Sequence, residues 1–251
     1  MNVALIFAGG VGARMQANVP KQFLEVNDVP ILVKTIQIFQ TNKNIDKVYI
    51  VMLKEYIDYT KYLVGKYKLD KVVDVVGGGE TGQDSIYRGL CRISDDCPDD
   101  TTVLIHDGVR PILPSEVIDK NIDSVKKYGS AITCKKCTET IIMKGIEDDV
   151  VDMTDRSISL MACAPQSFIL GDILEAHKAV RKVNPNYDGV IDSCTLMKIF
   201  KRKLHIVMGN NDNIKVTTKD DYFIANAILT RGDKPIELEN YGELLKFRGE
   251  L

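Results

Sequence analysis

Residues 3–23 read VALIFAGGVGARMQANVPKQF, which indicates a buried strand followed by a glycine-rich loop. The apolar run ends at Gly9 and Gly10, and the segment beyond it carries two cations, Arg14 and Lys21. Glycines have no Cβ atom, so the backbone amides of such a loop can come close to a polyanion, whose charge the two cations would neutralise. A plain glycine turn would explain the glycines but not the cations. We therefore predict a phosphate-binding loop.

The spacing of the glycines separates this loop from two other phosphate-binding loops. The dinucleotide fingerprint needs a glycine three residues after Gly12, where the chain has Met15, and this argues against a dinucleotide oxidoreductase. The Walker loop needs Gly-Lys followed by Ser or Thr, and no glycine of the chain precedes that pair. The remaining pattern, AGGxGxRM followed by Pro-Lys, resembles the signature of sugar-nucleotide and polyol-nucleotide transferases, in which a nucleoside triphosphate lies on the glycine turn.

The charge of the chain restricts its partners. A net charge of −2 over 251 residues argues against a protein that coats nucleic acid or an anionic membrane. No apolar run approaches the length that a bilayer-spanning helix needs, and the first residues lack the pattern of a signal peptide. We expect a cytoplasmic protein that has neither nucleic acid nor membrane as a partner.

The cysteines of the chain are expected to be reduced thiols, as in a cytosolic protein of this size. Cys134 and Cys137 form a C-x-x-C pair, but a redox or zinc site would need a thioredoxin-like context or a second pair of ligands. We predict a structural role for this pair. The other cysteines are Cys91, Cys97, Cys163 and Cys194.

Strand-like and helix-like segments alternate through the first half of the chain. Residues 47–53 and 71–76 are apolar, β-branched runs of the kind found in strands covered on both faces, and residues 102–106 form a similar run. Ser115 is predicted to cap a helix over residues 116–128. Such alternation favours an α/β fold with a single doubly wound, mostly parallel sheet.

A second glycine-rich loop follows the third predicted strand. Residues 77–85 read GGGETGQDS, and we predict that the next helix begins near Ile86. In a parallel sheet with right-handed crossovers, the carboxyl ends of the strands meet at one rim. The loops at Gly9, at Gly79 and at Asp107 are therefore expected to lie side by side and to hold one ligand between them.

An arm and a tail complete the predicted organisation. Residues 138–158 break the alternation with two short strand-like pieces, 140–143 and 149–153, around a polar turn. A β-hairpin of this size is too small to form a hydrophobic core of its own. We therefore predict an arm that packs on a second copy of the chain. A hairpin folded over its own sheet is the alternative. We assign one domain to residues 1–230, including the arm, and a C-terminal tail to residues 231–251.

Four stretches in a fixed order resemble a known family. FAGGVGARM with PKQF, GGETGQDS, HDGVRP, and DRSISLMACAPQSF followed by NIKVTT are together similar to the cytidylyltransferases of methylerythritol phosphate and ribitol 5-phosphate. The match runs from Val3 to about Leu229. The resemblance implies a Rossmann-like nucleotidyltransferase fold and a homodimer whose arms embrace. It also implies Mg²⁺-dependent transfer of a cytidylyl group from CTP to a polyol phosphate, with release of pyrophosphate.

The resemblance implies a role for each matching residue. Arg14 and Lys21 would stabilise the charge that develops on the α-phosphate of CTP, Asp107 would ligate Mg²⁺, and Gly79 and Ser85 would meet the cytosine. The residues that would hold the phosphate or hydroxyls of the second substrate, with those of the arm supplied across the dimer, are Arg110, Thr140, Arg156 and Lys215. The residues expected to bind the nucleotide are Phe7, Ala8, Gly9, Gly10, Val11 and Gly12 in the first loop, and Gly78, Gly79, Glu80, Thr81, Gly82, Gln83, Asp84 and Ser85 in the second.

The second substrate would bring its own nucleophile. A phosphate monoester has a second pKa of about 6 and is largely dianionic at neutral pH, so it needs no general base. This agrees with a sequence in which no Ser-His-Asp or Cys-His arrangement lies near the loops. His106 is interpreted as a neighbour of Asp107 and not as an acid or base. Positioning and charge neutralisation would carry the catalysis.

Three departures from the family pattern concern the substrates. Gly82 stands where the family has an arginine, Ala164 replaces a threonine, and Gly108-Val109 replaces the paired alanines of the methylerythritol branch. Since Val109 favours the ribitol phosphate branch, we predict D-ribitol 5-phosphate as the acceptor. The alternative acceptors are 2-C-methyl-D-erythritol 4-phosphate and another sugar phosphate. The alternative function is a non-catalytic nucleotide-sensing domain. Arg14, Lys21 and Asp107 argue against that function, because a protein that only binds the nucleotide need not retain all three.

Overall fold

The computed structural model describes residues 1–10 and 19–232, so Val11, Gly12 and Arg14 lie outside the described residues, as does the tail from residue 233. The described strands are β1 (Asn2–Ala8), β2 (Glu25–Val26), β3 (Val29–Pro30), β4 (Lys47–Met52), β5 (Val72–Gly77), β6 (Thr102–Asp107), β7 (Ser130–Lys136), β8 (Ile142–Lys144), β9 (Val150–Met153), β10 (Leu160–Ile169) and β11 (Ile206–Met208). The described α-helices are α1 (Ile31–Thr41), α2 (Ile57–Lys66), α3 (Gly82–Asp96), α4 (Ser115–Tyr128), α5 (Leu170–Val183), α6 (Ser193–Ile199) and α7 (Lys219–Arg231).

Seven strands form one sheet in the order β11-β7-β10-β6-β1-β4-β5. Strand β1 pairs in parallel with β4 and β6, β4 with β5, and β11 with β7. Strand β10 alone in this sheet runs against its neighbours, β6 and β7. The predicted α/β fold with a mostly parallel sheet is therefore confirmed.

Helices cover both faces of the sheet, which explains the continuous apolar runs of the central strands. Successive side chains of a strand point to opposite faces. In β1, Leu5 packs in a core with Leu90 of α3. Its neighbour Ile6 packs in the opposite core with Phe39 of α1. All four side chains are fully buried. Helices α3, α5 and α6 cover the first face, and α1, α2 and α4 cover the second.

The parallel strands end at one rim, as predicted. Gly9 follows β1, Gly78 and Gly79 follow β5, and Asp107 is the last residue of β6. Because β10 runs in the reverse direction, its first residues lie at the rim where its neighbours end. This reversal adds a wall to the rim that the parallel strands do not supply.

Helix α3 begins at Gly82, and the predicted start near Ile86 is wrong. The side chain of Thr81 accepts a hydrogen bond from the backbone N–H of Asp84, at 3.0 Å, and so caps the helix. Residues 82–85 therefore form the first turn of α3 and not a loop. The predicted cap of α4 is also wrong, because Ser115 is already helical and its Oγ accepts a hydrogen bond from Nδ2 of Asn42 at 2.9 Å.

Strand β10 has no counterpart among the predicted strands. Its pairing with β7 is irregular between Ala162 and Gln166, and Pro165 lies in that interval. Proline has no N–H to donate, so within sheets it is confined to edges and bulges. The bulge explains how a central strand accommodates this proline.

The arm is present as a hairpin of β8 and β9, which pair antiparallel with Ile142 opposite Met153. Ile142, Val151 and Met153 are 54%, 60% and 65% exposed. The alternative of a hairpin that buries its apolar side chains over its own sheet is therefore not observed. Across residues 1–10 and 19–232, no helix combines the length and apolar character needed to cross a membrane.

Candidate active site

Two adjoining cavities open at the rim. The first, which we call the loop cavity, has a volume of about 470 Å³. Its wall includes Gly9, Gly10, Lys21, Gly79, Ser85 and Asp107. The second, which we call the strand cavity, has a volume of about 320 Å³, and its wall includes Gln83, Asp107, Ala164, Gln166, Asp192 and Ser193. Asp107, Lys215, Phe7 and Gly82 line both cavities and so lie at their junction.

The loop cavity brings together most of the described residues that were predicted to bind the nucleotide. Those in its wall are Phe7, Ala8, Gly9, Gly10, Gly79, Glu80, Thr81, Gly82 and Ser85. Gly78 and Asp84 are not part of this wall, and Gln83 lines the strand cavity instead. The two glycine loops thus meet around one space, as the parallel sheet predicts.

The second loop is held in place by helix α3. Oγ of Ser85 accepts a hydrogen bond from the backbone N–H of Gly79 at 3.1 Å and donates one to the carbonyl of Thr81 at 2.9 Å. A Cβ atom on Gly79 would collide with the carboxylate of Asp84. Glycine is therefore required where the chain passes over the start of the helix.

Lys21 lies in the wall of the loop cavity, as predicted. It begins a short 3₁₀ turn over Lys21–Phe23 and is only 9% exposed. The next side chain, Gln22, donates from Nε2 to the carbonyl of Ala8 at 3.1 Å, which ties the turn to the end of β1. The tie holds the lysine beside the first loop.

Asp107 is the charged centre of the rim. Its Oδ2 accepts from Nε of Arg110 and its Oδ1 lies beside Nζ of Lys215, each at 2.6 Å, while Nη1 of Arg110 donates to the carbonyl of Asn213 at 3.0 Å. Burial raises the pKa of this carboxyl, but the charges and hydrogen bonds of Arg110 and Lys215 outweigh burial and hold the pKa at about 2. The carboxylate is therefore ionised at neutral pH.

His106 is a buried neighbour of this centre. It is fully buried and lines neither cavity, and its Nε2 lies 3.3 Å from the carbonyl of Arg110. Burial lowers the pKa of the imidazole to about 4, with the charge of Arg110 acting in the same direction against that of Asp107. The ring is neutral at pH 7, in line with its interpretation as neither acid nor base.

Strand β10 and helix α6 form part of the wall of the strand cavity. Apart from Ala164, sequence reasoning assigned no site role to these residues. Gln166 donates from Nε2 to Oδ2 of Asp192 at 2.7 Å and accepts from the backbone N–H of Cys194 at 2.8 Å. Oδ1 of Asp192 accepts from the backbone N–H of Thr195 at 2.7 Å and caps α6. Asp192 can be recognised in the sequence as the cap of a helix. Its hydrogen bond with Gln166 cannot, because the two residues are far apart in the chain.

A second polar cluster supports the first turn of α3 from behind. The carboxylate of Asp84 pairs with Arg181 of α5 and accepts from Nε of Arg88 at 3.1 Å. The guanidinium of Arg181 lies 4.5 Å from the ring centre of Tyr87, and the hydroxyl of Tyr187 lies 2.7 Å from Nδ1 of the buried His177. Asp84 therefore joins the first turn of α3 to α5 and does not line the loop cavity.

Thr140 and Arg156 are not brought to the rim within one chain. Both are exposed, neither lines the two cavities, and Nη1 of Arg156 donates to the carbonyl of Thr138 at 3.3 Å. Arg110 and Lys215, by contrast, stand at Asp107. Of the residues predicted for the second substrate, only these two are assembled by the described part of a single chain.

The residues at the rim fit a magnesium ion that is held chiefly by substrate. In the described ranges, no group of three or more His, Cys, Asp or Glu side chains is arranged so that it could hold a metal ion by itself. Mg²⁺ is commonly bound through one or two carboxylates together with substrate phosphates. The ionised Asp107, at the junction of both cavities, meets that requirement. A bound ion would take the place of Nζ of Lys215 beside Oδ1 of this carboxylate.

Comparison with known proteins gives relatives along nearly the whole chain. Residues 2–231 match the family model described as IspD, 2-C-methyl-D-erythritol 4-phosphate cytidylyltransferase. A ribitol-5-phosphate cytidylyltransferase of Vibrio parahaemolyticus is 48% identical over 230 residues, which cover 91% of this chain and 96% of that protein. A 2-C-methyl-D-erythritol 4-phosphate cytidylyltransferase of Clostridium botulinum is 33% identical over 92% of this chain and 98% of that protein.

Solved structures agree with the sequence relatives. The 4-diphosphocytidyl-2C-methyl-D-erythritol synthase of Anaerococcus prevotii superposes with a TM-score of 0.78 at 29% identity, over 92% of this chain and 96% of that chain. The fold and the relatives therefore point to the same group of enzymes.

Proposed function

Since the chain belongs to the IspD family of cytidylyltransferases, we propose that it transfers the cytidylyl group of CTP to D-ribitol 5-phosphate, giving CDP-ribitol and pyrophosphate. The observation that carries the choice of acceptor is the identity of 48% to a ribitol-5-phosphate enzyme, against 33% to a methylerythritol phosphate enzyme of similar coverage.

The reaction is a displacement at phosphorus. An oxygen of the phosphate group of ribitol 5-phosphate attacks the α-phosphorus of CTP and forms a new P–O bond. The bond from the α-phosphorus to the oxygen that bridges it to the β-phosphate breaks, and pyrophosphate leaves with the electron pair. The attacking phosphate is largely dianionic at neutral pH, so the enzyme must chiefly hold two anions together and neutralise the charge between them.

The rim supports this task with fixed cations on both sides. Lys21, beside the first glycine loop, meets the α-phosphate of a nucleotide in the loop cavity. The family resemblance gives the same role to Arg14, which lies outside the described residues. Lys215 stands at the junction of the two cavities and Arg110 lies in the wall of the strand cavity, where both meet the phosphate of the acceptor. Asp107 would hold Mg²⁺, which would supply further charge neutralisation on the triphosphate.

The working unit is proposed to be a homodimer. The exposed apolar side chains of the arm call for a partner surface, and Thr140 and Arg156 have no place at the rim of their own chain. In the proposed dimer, each arm delivers these residues to the acceptor site of the other protomer. A cytoplasmic location is supported by the six cysteines, all of which are free thiols.

The test is pyrophosphate release measured with purified protein, CTP, Mg²⁺ and a panel of acceptors. We expect release that requires all three components and is fastest with D-ribitol 5-phosphate. Faster release with 2-C-methyl-D-erythritol 4-phosphate or with a sugar 1-phosphate would replace the acceptor. No release with any acceptor, while CTP still binds, would favour the non-catalytic nucleotide-sensing domain. Competition of ATP, GTP and UTP against CTP checks the base.

A further inference from the structure

The strand cavity contains two buried polar groups that the fold leaves without partners. Gln83 is 5% exposed and Ser193 is 2% exposed, and both line the cavity. Within the described part of the chain, Oε1 of Gln83 and Oγ of Ser193 make no hydrogen bond. Buried polar groups are paired in most proteins because leaving them unpaired is unfavourable. Two such groups in one cavity wall indicate that a ligand completes them.

The neighbouring polar groups are already satisfied. Gln166 bonds through both ends of its amide, and Asp192 accepts from Gln166 on one oxygen and from Thr195 on the other. These two residues hold β10 and α6 together and have no need of a ligand. Gln83 and Ser193 are therefore the groups of this wall that can serve recognition.

The chemistry of the two groups selects the kind of ligand. A carboxamide and a hydroxyl each donate and accept hydrogen bonds without carrying charge, which matches alcohol groups, whereas a phosphate is better met by cations. The cations of this wall are Arg110 and Lys215, which both pair with Asp107. Much of the remaining wall is apolar, with Ile86 and Ile105 among its residues. The cavity thus fits a short carbon chain with hydroxyl groups and a phosphate at one end.

We propose that the amide of Gln83 and the hydroxyl of Ser193 bind hydroxyl groups of the acceptor's polyol chain and determine which polyol phosphate is used. The inference rests on the proposed function, which it deepens. It also changes the role of Gln83, which the family resemblance placed among the nucleotide-binding residues. Its side chain lies in the strand cavity, and only its neighbours in α3 line the loop cavity.

Steady-state kinetics of two variants test the assignment. For Gln83→Leu and Ser193→Ala we expect kcat/KM for D-ribitol 5-phosphate to fall by about tenfold or more, because a buried hydrogen bond to the substrate is lost. The KM for CTP should change by less than about twofold, since neither side chain lines the loop cavity. The matched control is Gln37→Leu in α1, on the opposite face of the sheet, which should leave both parameters unchanged.

Acceptor analogues give a second measurement, and its first part uses only the wild-type enzyme. With the wild-type enzyme, removing one hydroxyl at a time from the acceptor should lower kcat/KM for at least one position by a similar factor. The penalty of Gln83→Leu should then disappear with the analogue that lacks the hydroxyl bound by Gln83, and Ser193→Ala should behave likewise with its own analogue.

The outcomes separate this inference from the proposed function. No turnover of any polyol phosphate by the wild-type enzyme would overturn the proposed function. Normal turnover by wild type together with unchanged acceptor kinetics in both variants would overturn the inference alone. A loss in CTP affinity as large as the loss in acceptor use would also overturn it, because it would return Gln83 to the nucleotide. If the variants fail to fold, the wild-type analogue series decides, and equal kcat/KM for every analogue that lacks one hydroxyl would overturn the inference.

Discussion

Replacement of His177 should flatten the dependence of stability on pH. The imidazole is fully buried between α3 and α5, and its Nδ1 pairs with the hydroxyl of Tyr187. Burial, followed by the charge of Arg181, lowers its pKa from 6.5 to about 3, while Asp84 acts in the opposite direction. The folded protein therefore keeps this side chain neutral under conditions in which the unfolded chain protonates it.

The direction and size of the effect follow from that difference. Because the pKa is lower in the folded state, the stability is complete above pH 6.5 and is lost as the pH falls toward 3. Each pH unit in this window costs about 1.4 kcal/mol. Between pH 7 and pH 5, His177 alone should reduce the free energy of unfolding by about 2 kcal/mol.

His177→Asn removes the titrating group and keeps a polar atom near Tyr187. We expect lower stability at pH 7, because the smaller side chain leaves a cavity. The loss between pH 7 and pH 5 should nevertheless be smaller than in wild type by about 2 kcal/mol. The control is Tyr187→Phe, which removes the hydroxyl but leaves the imidazole buried, and which should keep the wild-type slope.

Urea unfolding followed by circular dichroism measures these free energies, since the chain has no tryptophan to report by fluorescence. The protein concentration is held constant, so that association contributes equally at each pH. Other titrating groups, including His106, remain in both proteins and cancel in the comparison. Parallel stability curves for wild type and His177→Asn from pH 7 to pH 5 would refute the reasoning.

Three further predictions concern the proposed reaction. Lys21→Ala should lower kcat by about 100-fold or more and change the Kd of CTP by less than about threefold; equal losses measured by kinetics and calorimetry would contradict a transition-state role. Gly79→Ala should raise the KM for CTP by about tenfold, because the new Cβ collides with Asp84, whereas Gly82→Ala, where the space is open, should not. Mixing inactive Lys21→Ala and Arg156→Ala dimers under exchange should recover about a quarter of the wild-type activity; no recovery would argue against arms shared across the dimer.

The parallel half of the fold is readable in the sequence because its signals are local. Apolar runs such as residues 47–53 match strands that are covered on both faces, and β4 (Lys47–Met52) is found there. A glycine-rich loop that follows such a run is expected at the rim, because the carboxyl ends of parallel strands meet there. The order of the motifs, together with Asp107 at the end of a strand, was enough to place one ligand site there.

The remaining features depend on contacts between distant parts of the chain. Strand β10 contains a proline in its bulge. Because proline is rare inside strands, the sequence did not predict a strand there. The start of α3 was missed because glycines 77–79 and 82 favour a loop, although Thr81 and Asp84 supply a cap. The ion pair of Lys215 with Asp107 joins residues more than a hundred positions apart, and no local pattern predicts it.

The reversed direction of β10 divides the molecule into two parts that can change independently. In the proposed reaction, the loops that follow the parallel strands β1 and β5 would hold the donor nucleotide, whereas the acceptor would lie against the start of one antiparallel strand and the short helix α6. On that assignment, substitutions in β10 and α6 would alter which alcohol is used without changing the residues that bind the triphosphate. The sheet thus allows a lineage of enzymes to retain one donor while acquiring new acceptors.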